Sequence, residues 1–175
     1  PIYNAVRHLR AAVLSIVKQT LEDWELLIID DGSTDGSLEC IQDIKDPRIR
    51  VIRDELNKGL AARLNEAIEL ARGQFFARMD QDDISYPERF ARQVAMLDND
   101  SNLDVVGVRA IAISQEDQVV GIFPYAINHS SICAKPWNGF YLAHPTWMGR
   151  IEWFRRHRSA TPSSYMYEDM ELLLR

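Results

Sequence analysis

Little in this chain points to a disulfide staple, a membrane span or a nucleic-acid partner. Among its 175 residues are only two cysteines, Cys40 and Cys133, far apart in sequence. That spacing makes neither a disulfide framework nor a zinc site, so they read as free thiols in a reducing compartment. No run of 18 apolar residues and no signal peptide is visible, so no membrane segment is expected in this chain. The formal net charge is −6. A general nucleic-acid binder would need a basic face, so nucleic acid is not an expected partner. A small phosphorylated ligand stays compatible with the charge, because a metal bridges two anions. No Gly-x-Gly-x-x-Gly and no Walker A lysine loop follow any expected strand, which argues against a dinucleotide fold and an ordinary P-loop NTPase. Internal repeats and low-complexity stretches are missing too.

What is present is alternation. Residues 5–19 carry Leu9, Val13, Ile16 and Val17 at helical spacing. "WELLIIDD" reads as a short buried strand closed by carboxylates. "GSTDGSLECI" reads as a turn and a helix, with Ser33, Thr34 and Asp35 as candidate caps. "RIRVIRD" is a second strand. "NKGLAARLNEAIELARG" is a helix with Leu60, Leu64 and Ile68 on one face and Gly73 as its stop. "QFFARMD" is a third strand. "YPERFARQVAMLDND" is a helix that buries Phe90, Val94 and Leu97, with Pro87 near its first turn. "LDVVGVRAIAI" adds a strand, and "QVVGIFPY" an edge strand or hairpin arm. Crossovers of this length predict an α/β sandwich with a mostly parallel sheet. From 125 to 165 the pattern weakens, and Trp137, Phe140, Tyr141, His144, Trp147 and Trp153 crowd together, lining a pocket or covering one sheet face. Both ends read as cut: "PIYNA" looks like a turn leaving a strand, and "EDMELLLR" breaks off inside a helical pattern.

Ligands of such sheets sit outside the carboxyl ends of the strands. Three polar clusters fall at such ends: Pro1–Asn4, Asp30–Asp31 and Asp80–Asp83. Asp83 or Ser85 as a helix cap explains one carboxylate of the third cluster, not three. Like charges this close raise one another's pKa unless a cation compensates. Oxygen donors of this kind suit Mg²⁺ or Mn²⁺ held partly through substrate phosphates. Asp30 and Asp31 fit either a tight turn with Asx bonding or a hydrogen-bonded base edge or ribose.

"PIYN", "LLIIDDGSTDGS", "NKGLAARLNEAI", "ARMDQDDISYPERF" and "EDMELLLR" occur in one order along the chain. Together they resemble family 2 glycosyltransferases, the inverting enzymes of GT-A fold, over nearly all of residues 1–175. The "ARMDQDDISYPERF" form resembles bacterial enzymes of surface-polysaccharide or lipopolysaccharide synthesis. The resemblance implies a GT-A-like nucleotide-binding α/β/α sandwich with a mostly parallel central sheet. Residues 1–100 would form the nucleotide-sugar half and 101–175 the acceptor half. It implies a nucleotide-sugar donor, UDP by default, a hydroxyl-bearing glycan or glycolipid acceptor, and Mn²⁺ or Mg²⁺ on Asp82 and Asp80. Pro1, Tyr3, Asp30, Asp31, Lys58, Arg63, Asp80 and Gln81 become the expected nucleotide contacts. Asp169 becomes the catalytic base with Glu168 beside it, and His144 and Trp147 the acceptor-side candidates. The implied location is cytoplasmic, free or at the inner face of the cell membrane. The chain departs from the family where "RHRSATPSSYMYED" replaces a glycine pair and an aromatic, so the acceptor loop would differ in shape.

In the implied reaction an acceptor hydroxyl loses its proton to Asp169 as it attacks the anomeric carbon from the face opposite the leaving nucleotide. Ser33 and Cys133 lack an evident base partner and receive no nucleophilic role. Three rivals share parts of the pattern. A sugar nucleotidyltransferase would need a glycine-rich basic loop that "PIYNAVRHLR" lacks. A non-catalytic nucleotide-binding domain would have no reason to keep Asp82 and Asp169. A magnesium-dependent phosphatase would need an aspartate nucleophile that "PIYN" does not offer.

Overall fold

A computed structural model describes residues 1–133 and 141–157. Helix α1 (Leu9–Val17) leads into strand β1 (Leu26–Asp31), which pairs in parallel with β2 (Ile49–Asp54). The register sets Leu26 opposite Ile49 and Asp31 opposite Asp54. Ile2 bonds the other edge of β1: its N–H donates to Ile29 O at 2.8 Å, and its carbonyl accepts from Asp31 N at 2.9 Å. β1 is therefore flanked on both sides, and its last four residues are buried. β2 is exposed at every second residue over its last four. Between them the expected helix is one turn of 3₁₀ (Glu39–Ile41). Gly36 at φ 84° and the Asp35 turn use up the residues that would have begun a longer one.

Helix α2 (Leu60–Leu70), strand β3 (Phe75–Ala77) and helix α3 (Arg89–Asn99) follow where the periodicity puts them. Next come β4 (Val105–Val106), the hairpin β5 (Ile111–Ile113) and β6 (Val119–Ile122), the short helix α4 (His129–Cys133), β7 (Met148–Arg150) and α5 (Ile151–Arg156). The apolar run expected as one strand is split into β4 and β5. β7 lies between β3 and β4 and is antiparallel to both, so parallel pairing holds in the first half of the fold and not in the second. Gly149 permits that insertion: a Cβ there would lie 2.5 Å from the Asp104 carbonyl.

Three apolar clusters make the core. α1 packs through Leu9 and Val13 on Ile2, Ile28 and Ile41. Ile16 meets Phe90, Leu97, Val106 and Met148. Ile68 meets Trp147, Ile151 and Phe154. The start of α3 has no cap of its own. Instead Gln19, just past α1, accepts from Phe90 N at 3.0 Å and donates to Tyr86 O at 2.8 Å. Neither Asp83 nor Ser85 caps that helix. No helix among the described residues is long and apolar enough to cross a membrane.

Candidate functional site

The three polar strand ends converge. The turn at Pro1–Asn4 and the loop after β1 are zipped together: Ser33 Oγ accepts from Asn4 N at 3.0 Å, and Asn4 Oδ1 accepts from Thr34 N at 3.0 Å. Ser37 Oγ accepts from Ala5 N at 2.7 Å, and Asp35 Oδ2 accepts from Val6 N at 3.0 Å. Asn4 has φ 49°, a left-handed conformation that asparagine tolerates. The third cluster is clasped to the same turn by Gln81. Its Oε1 accepts from Tyr3 N at 2.8 Å and its Nε2 donates to Tyr3 O at 3.2 Å. The Tyr3 ring stays half exposed above this clasp. Pro1 lies within electrostatic reach of Arg78, Asp80, Asp31 and Arg63.

The two aspartates at the end of β1 have different duties. Asp30 is buried and, among the described residues, accepts one hydrogen bond, from Ser33 N at 2.9 Å. Asp31 is spent internally. It accepts from Lys58 N at 2.8 Å, Gly59 N at 2.9 Å and Arg63 Nε at 2.6 Å. Gly59, at φ 85°, is the residue that lets both amides face one carboxylate. Arg63, expected as a nucleotide contact, has no exposed side-chain surface. Its donors go to Asp31, to Glu66 at 2.7 Å, to Leu56 O at 2.7 Å and to Asp54 at 3.0 Å. Burial alone would lower that guanidinium's pKa, but the carboxylates of Glu66, Asp31 and Asp54 outweigh burial and hold it above its ordinary value. Asp54 is held well below the usual carboxylate range by Lys58, the Leu56 amide and Arg63. The Lys58 ammonium sits on Asp54 at 2.6 Å. Asp31 and Arg63 are thus buried and bonded to each other and to the loop at Leu56–Gly59.

The acidic loop shows a similar division. Asp82 is exposed, and Asp80 is half buried. Burial raises the Asp83 carboxyl above its usual range, and the charges of Asp80 and Asp82 push it further. Beside the loop lie two buried arginines, Arg78 and Arg89, neither of them a candidate from the sequence. Arg89 is fully engaged: Nε donates to Gln93 at 3.0 Å, Nη1 to Ser85 Oγ at 3.0 Å, and Nη2 to Arg78 O at 2.6 Å and Pro145 O at 3.2 Å. Burial lowers it to about 10, with Asp83 opposing that shift. Arg78 is also buried. Its Nη1 lies 2.5 Å from Asp80 Oδ1, an ion-pair contact, yet neither Nη1 nor Nε directs a hydrogen at an acceptor. Both arginines stand close to the acidic loop in sequence, Arg78 two residues before Asp80 and Arg89 at the start of α3.

Oxygen donors are the right chemistry for Mg²⁺ or Mn²⁺, which take one or two protein carboxylates and fill up with phosphate and water. Among the described residues no three acidic, histidine or cysteine side chains converge into a complete cage. The exposed Asp82 and half-buried Asp80 offer carboxylate oxygens of the kind such a cation takes.

Of the two alternatives for the aromatics, lining a pocket or covering a sheet face, Trp147 and His144 take buried positions. Trp147 is a core residue, 1% exposed, whose Nε1 donates to Leu142 O at 2.9 Å. His144 is buried edge-on against it, with ring centroids 4.7 Å apart. Trp147 has no surface for an acceptor. Glu168 and Asp169, with Trp137 and Phe140, lie outside the described residues.

The α/β fold that brings these loops together is that of GT-A glycosyltransferases. The chain belongs to glycosyl transferase family 2, whose family model matches residues 1–158. EpsE of Bacillus subtilis (strain 168), named as a glycosyltransferase, is 37% identical over 99% of this chain and 63% of its own length. WfgD of Escherichia coli, named a UDP-Glc:alpha-D-GlcNAc-diphosphoundecaprenol beta-1,3-glucosyltransferase, is 37% identical over 55% of this chain and 38% of its own. The chain thus spans less than two thirds of these relatives. Among solved structures, TarS of S. aureus with UDP superposes with a TM-score of 0.76 at 20% identity, over 99% of this chain and 52% of that one. The mannosyltransferase PcManGT of Pyrobaculum calidifontis, with GDP-Man and Mn²⁺, superposes at 0.68 and 16% identity, over 97% and 48%.

Proposed function

We propose that this chain is the donor-binding part of an inverting, metal-dependent glycosyltransferase of bacterial surface-polysaccharide synthesis. It would move a sugar from a nucleoside-diphosphate sugar to a hydroxyl of a glycan or glycolipid. The observation that carries the reading is the Gln81 clasp on Tyr3, which joins the acidic loop to the turn beside Asp30. In this reading the exposed Tyr3 ring and the Asp30 carboxylate recognise the base. Asp82, assisted by Asp80, holds Mn²⁺ or Mg²⁺. The bound cation supplies charge stabilisation for the departing diphosphate. Lys58, Asp31 and Arg63 fix the loop that walls the cleft. Asp169 takes the acceptor proton and Glu168 orients it. UDP recognition is supported by the donor named for WfgD and the ligand of TarS. A lipid-linked acceptor is supported by WfgD's name.

The test is calorimetry of the full-length protein with UDP and GDP, with and without Mn²⁺. One nucleotide should bind in an Mn²⁺-dependent manner, and Asp82→Ala should abolish that binding while the melting curve stays cooperative. Unchanged Mn²⁺-dependent binding in Asp82→Ala would defeat the assignment. Asp169→Asn should keep nucleotide affinity and lower turnover by about 10²-fold or more, the size of a lost general base. Near wild-type turnover, or a product that retains the donor's anomeric configuration by NMR, would overturn the base and the inverting course.

A further inference from the structure

Among the described residues, the Arg78 guanidinium pairs with Asp80 alone and is incompletely hydrogen-bonded. We propose that Arg78 is a positioning residue: it aims Asp80 and keeps a bare divalent cation off the loop until a nucleoside diphosphate brings compensating charge. The inference rests on the donor-site reading above and adds an order of binding to it.

The geometry supports it in three ways. First, the backbone of Arg78 is pinned on both sides. Its N–H donates to Trp147 O at 2.8 Å, and its carbonyl accepts from Arg89 Nη2 at 2.6 Å. The side chain therefore leaves a fixed point. Second, the guanidinium is 5% exposed and touches Asp80 Oδ1, while its Nε and Nη1 have no hydrogen-bond acceptor. A buried charge without full hydrogen bonding is costly, and folding alone gives no reason to keep it. Arg89, beside it, has every nitrogen engaged and needs no such explanation. Third, the loop carries three carboxylates above these two buried cations. A lone Mn²⁺ arriving at Asp80 and Asp82 meets the field of Arg78 a short distance below. A diphosphate on the metal offsets that repulsion and gains from the same guanidinium.

The experiment titrates the full-length protein with Mn²⁺ and reads free Mn²⁺ by electron paramagnetic resonance, with and without UDP or GDP. Wild type, Arg78→Met and Arg78→Lys are compared, each checked by its melting curve. Arg78→Met should bind Mn²⁺ alone about tenfold more tightly than wild type, the size of one like charge removed at close range in a partly screened site. Its Mn²⁺-dependent nucleotide affinity should fall by a similar factor. Arg78→Lys keeps the charge and loses the planar fork, so its bare Mn²⁺ affinity should match wild type while nucleotide affinity drops. A merely structural arginine would not tighten bare metal binding in any variant. Unchanged or weaker Mn²⁺ binding in Arg78→Met overturns the inference and leaves the donor site standing. Wild type that binds neither nucleotide with Mn²⁺ overturns both. Should Arg78→Met not fold, Arg78→Lys decides alone: tighter bare Mn²⁺ binding, or unchanged nucleotide affinity, overturns the proposal.

Discussion

The edge that carries Asp30 and Asp80–Asp83 and the β5–β6 hairpin are built on opposite terms. At that edge, charged groups are buried and paired: Arg63 with Asp31, Asp54 and Glu66, and Arg89 with Gln93 and Ser85. In the hairpin, apolar groups face outward: Val119, Val120, Ile122 and Phe123 are each about half to two-thirds exposed. A buried ion cluster tolerates only one geometry, since displacing any member strands the others. A two-stranded hairpin is marginal alone and draws little stability from its outer side chains. One region is specified by electrostatics, while the other is only sketched by local β-propensity.

That contrast is most strongly tested at Arg63. Arg63→Ala should destabilise the fold by about 3–5 kcal/mol, because Asp31 and Asp54 lose their common partner. Urea unfolding measures it, and a loss below about 1 kcal/mol would show the cluster to be dispensable. A smaller effect of opposite sign belongs to Asp83. Its folded pKa lies above the unfolded value, so its proton-linked stability is present below about pH 4 and is lost as pH rises through the folded pKa. Asp83→Asn should therefore raise stability at pH 7, by about 0.5 kcal/mol, and the gain should vanish at pH 3. Asp54 behaves conversely. Its depressed pKa contributes stability above about pH 4 that is lost as pH falls further. Thermal melts across pH 3–7 separate the two. The smallest effect is expected in the hairpin: Val120→Thr, on an exposed face, should stay within about 0.5 kcal/mol of wild type. A loss above 1 kcal/mol would mean that this face packs against something.

The same contrast explains what could be read from the residues in advance. Local signals were legible: the apolar spacing of α1, α2 and α3, the strand ending in Asp30 and Asp31, and three polar strand ends converging on one edge. Long-range partnerships were not. Arg63 reads as a nucleotide-contact candidate until Asp31, 32 residues away, is seen to hold it. The start of α3 seemed to need its own cap because Gln19, 71 residues earlier than Phe90, leaves no local trace. For Trp147 the sequence leaves a pocket and a packed sheet face equally open, since a tryptophan in an irregular segment looks alike whether it lines a cleft or fills a core. β7 spans only Met148, Gly149 and Arg150, too short and too glycine-dependent to register as a strand.

The Asp31 carboxylate has a consequence for the order in which the chain assembles. By gripping the amides of Lys58 and Gly59, it closes a loop spanning 27 and 28 positions around the parallel pair β1–β2. Such closure costs chain entropy before it returns any contact energy, so it belongs late in assembly, after β1 and β2 have docked. Once made, it ties a loop to the most buried strand. Loop amides usually trade their hydrogens with water quickly, through small local openings. The amides of Lys58 and Gly59 should instead exchange as slowly as those of β1 itself, marking in deuterium where this loop stops behaving like one.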